Sequence, residues 1–169
     1  MTDFNTDVMP LKNKFYRLAL RILNDDAEAQ DITQETLIRL WSRCATLPSA
    51  ADAEKLGLTI AYNLSRDALL RAGRIHEQLD AIDEALLPDT SQSPIDTLAA
   101  TDRRHFLRTI MARLPLRQQT IVQLRDIEGK PYREIADIMQ ITEEQVKITL
   151  FRARQTLRKA YKKNDTNEL

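Results

Sequence analysis

Lys147, Phe151, Arg154 and Arg158 recur at helical spacing near the C-terminus, with Arg152, Lys159 and Lys163 beside them. Residues 147–163 hold seven bases and no acid. Lys and Arg on one helix face can donate to guanine acceptors in a major groove and neutralise phosphates. Recognition of duplex DNA is therefore the chemistry this pattern offers. The other side of the same segment is apolar: Val146, Leu150, Ala153, Leu157 and Tyr161. Pro131 opens a short helix upstream, with Ile135, Ala136 and Met139 inward. Ile141 fills the turn, and Thr142 with Gln145 three residues on forms a capping box. Small Ala136 lets the two helices cross closely. The pattern predicts a helix-turn-helix whose second helix enters the major groove. A plain antiparallel helix pair with a solvated basic face is the alternative.

The rest of the chain offers little other chemistry. Cys44 is the single cysteine, which excludes a disulfide framework and a cysteine-based metal cage. His76 and His105 have no carboxylate or cysteine at ligand spacing, so no metal or cofactor is expected. No nucleophile–base constellation or paired carboxylates suggest an enzyme. Glu143 and Glu144 suit a helix N-terminus through its dipole. Only three glycines occur, against a phosphate-binding loop or a turn-rich barrel.

Charge is balanced overall, with 25 bases and 25 acids, but unevenly placed. Residues 1–77 carry a net −1, 78–105 a net −4 and 106–169 a net +5. A basic C-terminal element suits an anionic partner. Hydrophobic residues make up 43% of the 169, enough for packed cores. No apolar run of about 18 residues exists, so no membrane insertion is expected. Asp3 and Asp7 precede any base, and no apolar signal segment follows. The expected location is cytoplasmic.

Helical periodicity runs through nearly all of the sequence. It predicts helices over about 10–23, 27–45, 52–73, 94–112, 115–127, 131–139 and 143–163. In the first, Leu11, Phe15, Leu18, Ala19 and Ile22 share a face. In the second, Ile32, Leu37, Leu40, Trp41 and Cys44 form the apolar side, with Trp41 in the core. Asp25 and Asp26 are candidate caps. Residues 76–94 are acidic with Pro88, Ser91, Ser93 and Pro94, which suggests a linker with one helical turn near 78–86. The fold expected is all-α: two small helical domains, 1–77 and 106–169, joined by a flexible acidic linker, 78–105. Such a linker sets no single distance between them.

Two blocks of residues carry a family resemblance. Leu114-Pro115-Leu116-Arg117-Gln118-Gln119, Leu124-Arg125-Asp126-Ile127-Glu128-Gly129, Tyr132-Arg133-Glu134-Ile135-Ala136, Val146-Lys147 and Leu150-Phe151-Arg152-Ala153-Arg154 together resemble region 4 of bacterial sigma factors. The run from Asp31 to Trp41, then Ile60-Ala61-Tyr62-Asn63 and Asp67, resembles their region 2. With no substantial region 1 or 3, the chain is similar to the extracytoplasmic-function subgroup. The resemblance covers roughly 9–76 and 106–163 and places the two blocks in the family's order.

The resemblance implies partners and sites. The second helix would bind the clamp of core RNA polymerase through Asp31, Gln34, Glu35 and Ile38, with Ser42 on the same face. The third helix and the loop before it would bind the opened −10 strand. Asn63 matches a base-contacting position, its amide able to donate and accept. Tyr62 is the one aromatic there, and Arg66, Arg71 and Arg74 offer phosphate contacts. Where many relatives carry loop aromatics and an early Trp, this chain has Leu47, Ala53, Leu56 and Leu58. Fewer stacking platforms imply weak melting and a strict need for a good promoter. In the −35-reading helix, Gln145, Lys147, Thr149, Phe151, Arg152 and Arg154 are the candidate contacts. Ile148 and Thr149 replace a common Ser-Arg pair. Gln140 stands where a turn glycine is frequent, at a cost of about 1–2 kcal/mol if left-handed. An anti-sigma protein is a further partner class. The function implied is promoter-specific initiation, with the polymerase doing the chemistry. A self-sufficient helix-turn-helix repressor with an all-α dimerisation domain is the reading from another class, although the sequence has no long apolar heptad to dimerise it.

Overall fold

The computed structural model describes the backbone of residues 1–74 and 100–167 and the side chains of 1–74 and 103–163. Among the described residues seven α-helices follow in order: α1 Lys12–Leu23, α2 Asp26–Trp41, α3 Ala50–Arg71, α4 Ala100–Arg113, α5 Leu116–Val122, α6 Tyr132–Met139 and α7 Glu143–Asn167. No strand occurs among the described residues. The helical turn expected near 78–86, and the first residues of the helix expected from 94, lie outside the described residues.

The first three helices make one unit. Pro10 sits in a short 3₁₀ turn, Met9–Leu11, that leads into α1 instead of opening it. A widened turn over Phe4–Val8 precedes it, with Asp3 capping and Val8 fully buried. The periodic residues Phe15, Leu18, Ala19 and Ile22 point into the core as expected. Asn24 then turns left-handed at φ 52°. Asp25 caps α2 by accepting from the Glu28 amide at 2.9 Å.

The buried face of α2 departs from expectation. It consists of Ala29, Thr33, Thr36 and Leu40. Trp41, expected in the core, is 63% exposed. Ile32, Leu37 and Cys44 are only half-buried. The Thr33 and Thr36 hydroxyls donate to the Ala29 and Ile32 carbonyls, each at 2.7 Å. Satisfied within their own helix, these residues pack as small apolar groups. Trp41 stands one residue past Leu40, about 100° around the helix, and so leaves that face.

Gly57 lets α3 lie against α1. A Cβ there would meet the Phe15 ring at 2.2 and 2.4 Å and Leu40 Cδ1 at 3.0 Å. Phe15 is fully buried and has nowhere to move. Gly57→Ala gains about 1 kcal/mol of helix propensity, but overpacking typically costs about 1–3 kcal/mol or more. The expected result is a net loss of stability, read as a lower urea midpoint with an unchanged slope. At the end of α3, Gly73 adopts φ +68°, and the Arg74 amide donates back to the Leu69 carbonyl.

The second unit packs Ile121, Leu124, Ile135, Ile138, Val146 and Leu150 at its centre. Gln119 Nε2 donates to the Leu114 carbonyl at 2.7 Å and so fixes the turn from α4 to α5 at Pro115. A widened turn, Gln123–Ile127, extends α5 to the expected end of that helix. Gln140 is left-handed at φ 55°, the conformation that makes a glycine common at such turns. The capping box forms: the Gln145 amide donates to Thr142 Oγ1 at 3.1 Å, and the Thr142 amide donates to Gln145 Oε1 at 2.9 Å. Tyr161, expected in the buried stripe of α7, is 42% exposed and meets Phe106 of α4 with ring centroids 6.4 Å apart.

The two units touch directly. Helix α1 packs on α5, and α3 packs on α6. Arg17 donates through Nε and Nη2 to Glu128 at 2.7 and 3.0 Å. Arg21 Nε donates to Gln123 Oε1 at 3.0 Å. Lys55 pairs with Asp137 at 2.6 Å, and Lys130 pairs with Glu54, which also meets Lys14. Burial pushes the Glu54 carboxyl up, but Lys130 and Lys14 outweigh it and hold its pKa below the usual 4.5. The Lys55 hydrogen bond likewise holds Asp137 below 3.8. A depressed carboxylate pKa adds stability above the unfolded value and loses it as pH falls through the folded one. Acidification from neutrality to below about 4 should therefore destabilise the wild type more than Glu54→Gln, whose pH profile of thermal unfolding should be flatter.

Candidate nucleic-acid interface

Helix α7 presents its basic face outward. Lys147 and Arg152 are exposed, and Phe151 is 62% exposed beside them. Ile148 is 44% exposed, so this face also offers an aliphatic contact. Thr149 is half-buried at its edge. The apolar stripe that holds the face outward, Val146, Leu150 and Ala153, is buried against α5 and α6. Two expected contacts carry structural duties. Gln145 spends its amide oxygen on the capping box, leaving its Nε2 donors. Arg154 forms an ion pair with Asp126 through Nε and Nη2, and this hydrogen bond holds its guanidinium more firmly protonated. Arg125 lies over the Tyr132 ring at 4.4 Å, and Lys147 approaches the same ring at 5.8 Å.

On α3, Asn63 is exposed, as base-edge reading requires. Tyr62 is not available: it is 5% exposed within the core cluster and cannot stack on a base in this conformation. The sequence places Tyr62 beside Asn63, but one residue turns a helical side chain by about 100°, from solvent to core. Arg66 is half-buried and Arg71 exposed, its Nε donating to the Asp67 carbonyl at 3.4 Å. Arg74 braces the unit instead of standing free. It donates to the Leu23 carbonyl at 3.3 Å and to Glu28 at 2.7 Å. The loop before α3 is anchored from the N-terminus: Thr2, 4% exposed, donates to the Leu47 carbonyl at 2.9 Å.

Helix α2 carries a third surface. Asp31, Gln34, Ile38 and Ser42 are exposed along one side, and Glu35 is half-buried in an i,i+4 ion pair with Arg39 at 2.9 Å. Ile38 and Trp41 are each 63% exposed, one turn apart. Phe4 supports the Trp41 ring edge-on, with centroids 4.8 Å apart. By size and apolarity Trp41 belongs to the core, yet it stands on this exposed surface. The signal lay in the spacing of Ala29, Thr33, Thr36 and Leu40.

Among the described residues no cluster of His, Cys, Asp and Glu could hold a metal ion. No described helix is long and apolar enough to cross a membrane.

Comparison with known proteins gives a consistent picture. Residues 8–75 match the family model for sigma-70 region 2, and residues 107–157 that for sigma-70 region 4. The chain is 31% identical over 144 residues to the ECF RNA polymerase sigma factor SigL of Mycobacterium tuberculosis, covering 85% of this chain and 80% of that one. It is 27% identical over 157 residues to the ECF sigma factor SigM of Bacillus subtilis, covering 92% and 93%. It is 32% identical over 155 residues to the probable sigma factor RfaY of Xanthomonas campestris, covering 89% of this chain but spanning only 38% of that protein. The sigma factor RpoE of Bartonella quintana, solved with the anti-sigma factor NepR, shares the fold with a TM-score of 0.71 at 19% identity. That match covers 96% of this chain and 98% of that one.

Proposed function

This chain belongs to the extracytoplasmic-function RNA polymerase sigma factors, with regions 2 and 4, and from that premise we propose how it directs transcription from its promoters. Residues 1–77 bind core RNA polymerase and the −10 element, residues 106–169 read the −35 duplex, and the acidic segment 78–105 runs near the polymerase's RNA exit path, its like charge mimicking nucleic acid. The protein works in the cytoplasm and catalyses nothing itself. An anti-sigma protein is a further partner class.

The observation that carries the reading is the exposed Ile38–Trp41 pair on α2, on a face otherwise made of Asp31, Gln34, Glu35 and Ser42. Two large apolar side chains exposed to solvent beside polar groups are the anatomy of an interface centre with a polar rim. On α7, Lys147, Phe151 and Arg152 make the base and phosphate contacts, with Thr149 at the edge and Arg154 available once released from Asp126. On α3, Asn63 reads a base, while Arg66 and Arg71 steer the backbone. With Tyr62 enclosed and Leu47 in the loop, stacking on opened bases is scarce. Opening then depends on a well-matched −10 sequence.

The test is reconstituted transcription from a genomic fragment library with purified core polymerase, mapping RNA 5′ ends. Chain-dependent start sites sharing paired upstream elements support the reading. No chain-dependent initiation, with a dimer that binds a palindromic duplex unaided, contradicts it in favour of a repressor or activator.

A further inference from the structure

Residues 2–8 touch two elements that the proposed function uses. Phe4 meets Trp41 of α2 edge-on, with ring centroids 4.8 Å apart. Two positions earlier, Thr2 reaches the loop that leads into α3, its Oγ1 donating to the Leu47 carbonyl at 2.9 Å. Val8 is fully buried and fastens the other end of the segment. Between these anchors the segment is closed by its own hydrogen bonds. Asp3 Oδ1 accepts from the Thr6 amide, and the Asp3 amide donates to Asp7 Oδ2, each at 2.8 Å. The Asp7 amide returns to the Asp3 carbonyl at the same distance. The loop's own bonds are local. The Thr46 hydroxyl donates to the Arg43 carbonyl at 2.7 Å, and the Leu47 amide to the Cys44 carbonyl at 3.2 Å. The Asp52 amide donates to Ser49 Oγ at 3.3 Å. Thr2 ties this loop to a segment 45 positions away, and Phe4 and Leu47 pack half-buried against one core cluster.

We propose that residues 2–8 are a strap carrying two positioning residues: Phe4 sets Trp41 for the polymerase, and Thr2 sets the 42–49 loop for the opened −10 strand. The proposal rests on the sigma-factor reading of α2 and of that loop. A loop ordered before binding loses less conformational entropy when it binds, and so does a side chain held by a neighbouring ring. Thr2, 4% exposed, is withdrawn from solvent and touches no nucleic acid itself. Its effect passes through the Leu47 carbonyl, which a valine at position 2 would leave without that donor. Both anchors belong to one hydrogen-bonded turn, so freeing Phe4 also loosens the hold of Thr2 on the loop.

The test uses the full chain and three readouts. These are amide hydrogen exchange in the free protein, affinity for purified bacterial core polymerase, and open-complex formation on a promoter recovered by the start-site mapping above. Thr2→Val keeps the side chain's shape and removes its donor. It should speed exchange of the 44–47 amides about fivefold, the worth of one neutral hydrogen bond. Open-complex formation at saturating core should fall by about the same factor, with core affinity unchanged. Thr2→Ser keeps the hydroxyl and should behave as the wild type in both. Phe4→Ala should weaken core affinity about two- to tenfold, the range of one aromatic pair, and should also speed exchange in the loop. Phe4→Tyr keeps the ring and should bind core as the wild type does. Exchange in α1 and α3 should stay unchanged throughout, which separates a loosened loop from a weakened fold. Unchanged loop exchange or unchanged opening in Thr2→Val, a loss that Thr2→Ser shares, unchanged core affinity in Phe4→Ala, or faster exchange spread through α1 and α3 would each overturn the proposal. Failure of the wild type to bind core at any concentration would instead contradict the proposed function, while exchange would still report whether the strap holds the loop.

Discussion

Replacing Ile38 and Trp41 together with alanine should weaken the association with core RNA polymerase at least about thirtyfold while leaving the fold intact. Interface residues of this kind, when central and aromatic or aliphatic, commonly contribute about 2 kcal/mol or more each on truncation. Both side chains are 63% exposed, so little packing is lost from the free protein. Trp41 does lose its edge contact with Phe4, which is worth about 0.5–1.5 kcal/mol at most. The measurement is a titration of labelled chain with core enzyme, with urea unfolding alongside. A fall in affinity without a matching fall in stability is the expected outcome. Equal affinity in the double variant would remove α2 from the interface.

Arg152→Ala should lower promoter-directed transcription about ten- to a hundredfold, with binding to core polymerase unchanged. A well-placed arginine contact to a base edge discriminates by about 1–3 kcal/mol. Arg152 is exposed on the outward face of α7 and can engage DNA without first breaking a helix cap. Arg154→Ala should cost less, because its guanidinium must leave Asp126 before it gains a phosphate. The comparison is made by run-off transcription at several salt concentrations. A loss uniform across promoters with a shallower salt dependence assigns Arg152 to a phosphate, and a promoter-dependent loss assigns it to a base. No loss in either variant would mean that this face of α7 does not read the −35 element.

The helix-turn-helix was legible in the sequence almost in full. Its period, its capping box and the apolar stripe of Val146, Leu150 and Ala153 are local features, and local features survive folding. The end of that stripe was not: Tyr161 has the right spacing but is 42% exposed and meets Phe106 of α4. On α2 the largest hydrophobic residues do not mark the buried side, which is built from Ala29, Thr33 and Thr36 around Leu40. Threonine hydroxyls look polar in a sequence, and only their bonds to carbonyls one turn back make them core residues. Gly57 gave no local signal, since its reason is a phenylalanine 42 positions away. The braces at Arg74 and Arg154 were hidden for the same cause. An arginine in a basic run reads as a phosphate contact until its carboxylate partner, Glu28 or Asp126, is placed beside it. The packing of the two units was beyond the sequence altogether, because the charges that meet there are single residues scattered over 120 positions.

The claim on which the rest depends is that α2 is the surface captured by core polymerase. The most direct measurement is co-migration of the purified chain with bacterial core RNA polymerase on a sizing column, beside a variant with Gln34 and Glu35 both replaced by alanine. Stable co-migration of the wild type and its loss in the variant are expected. A wild type that elutes apart from the polymerase, as a dimer that binds duplex DNA unaided, would contradict that claim.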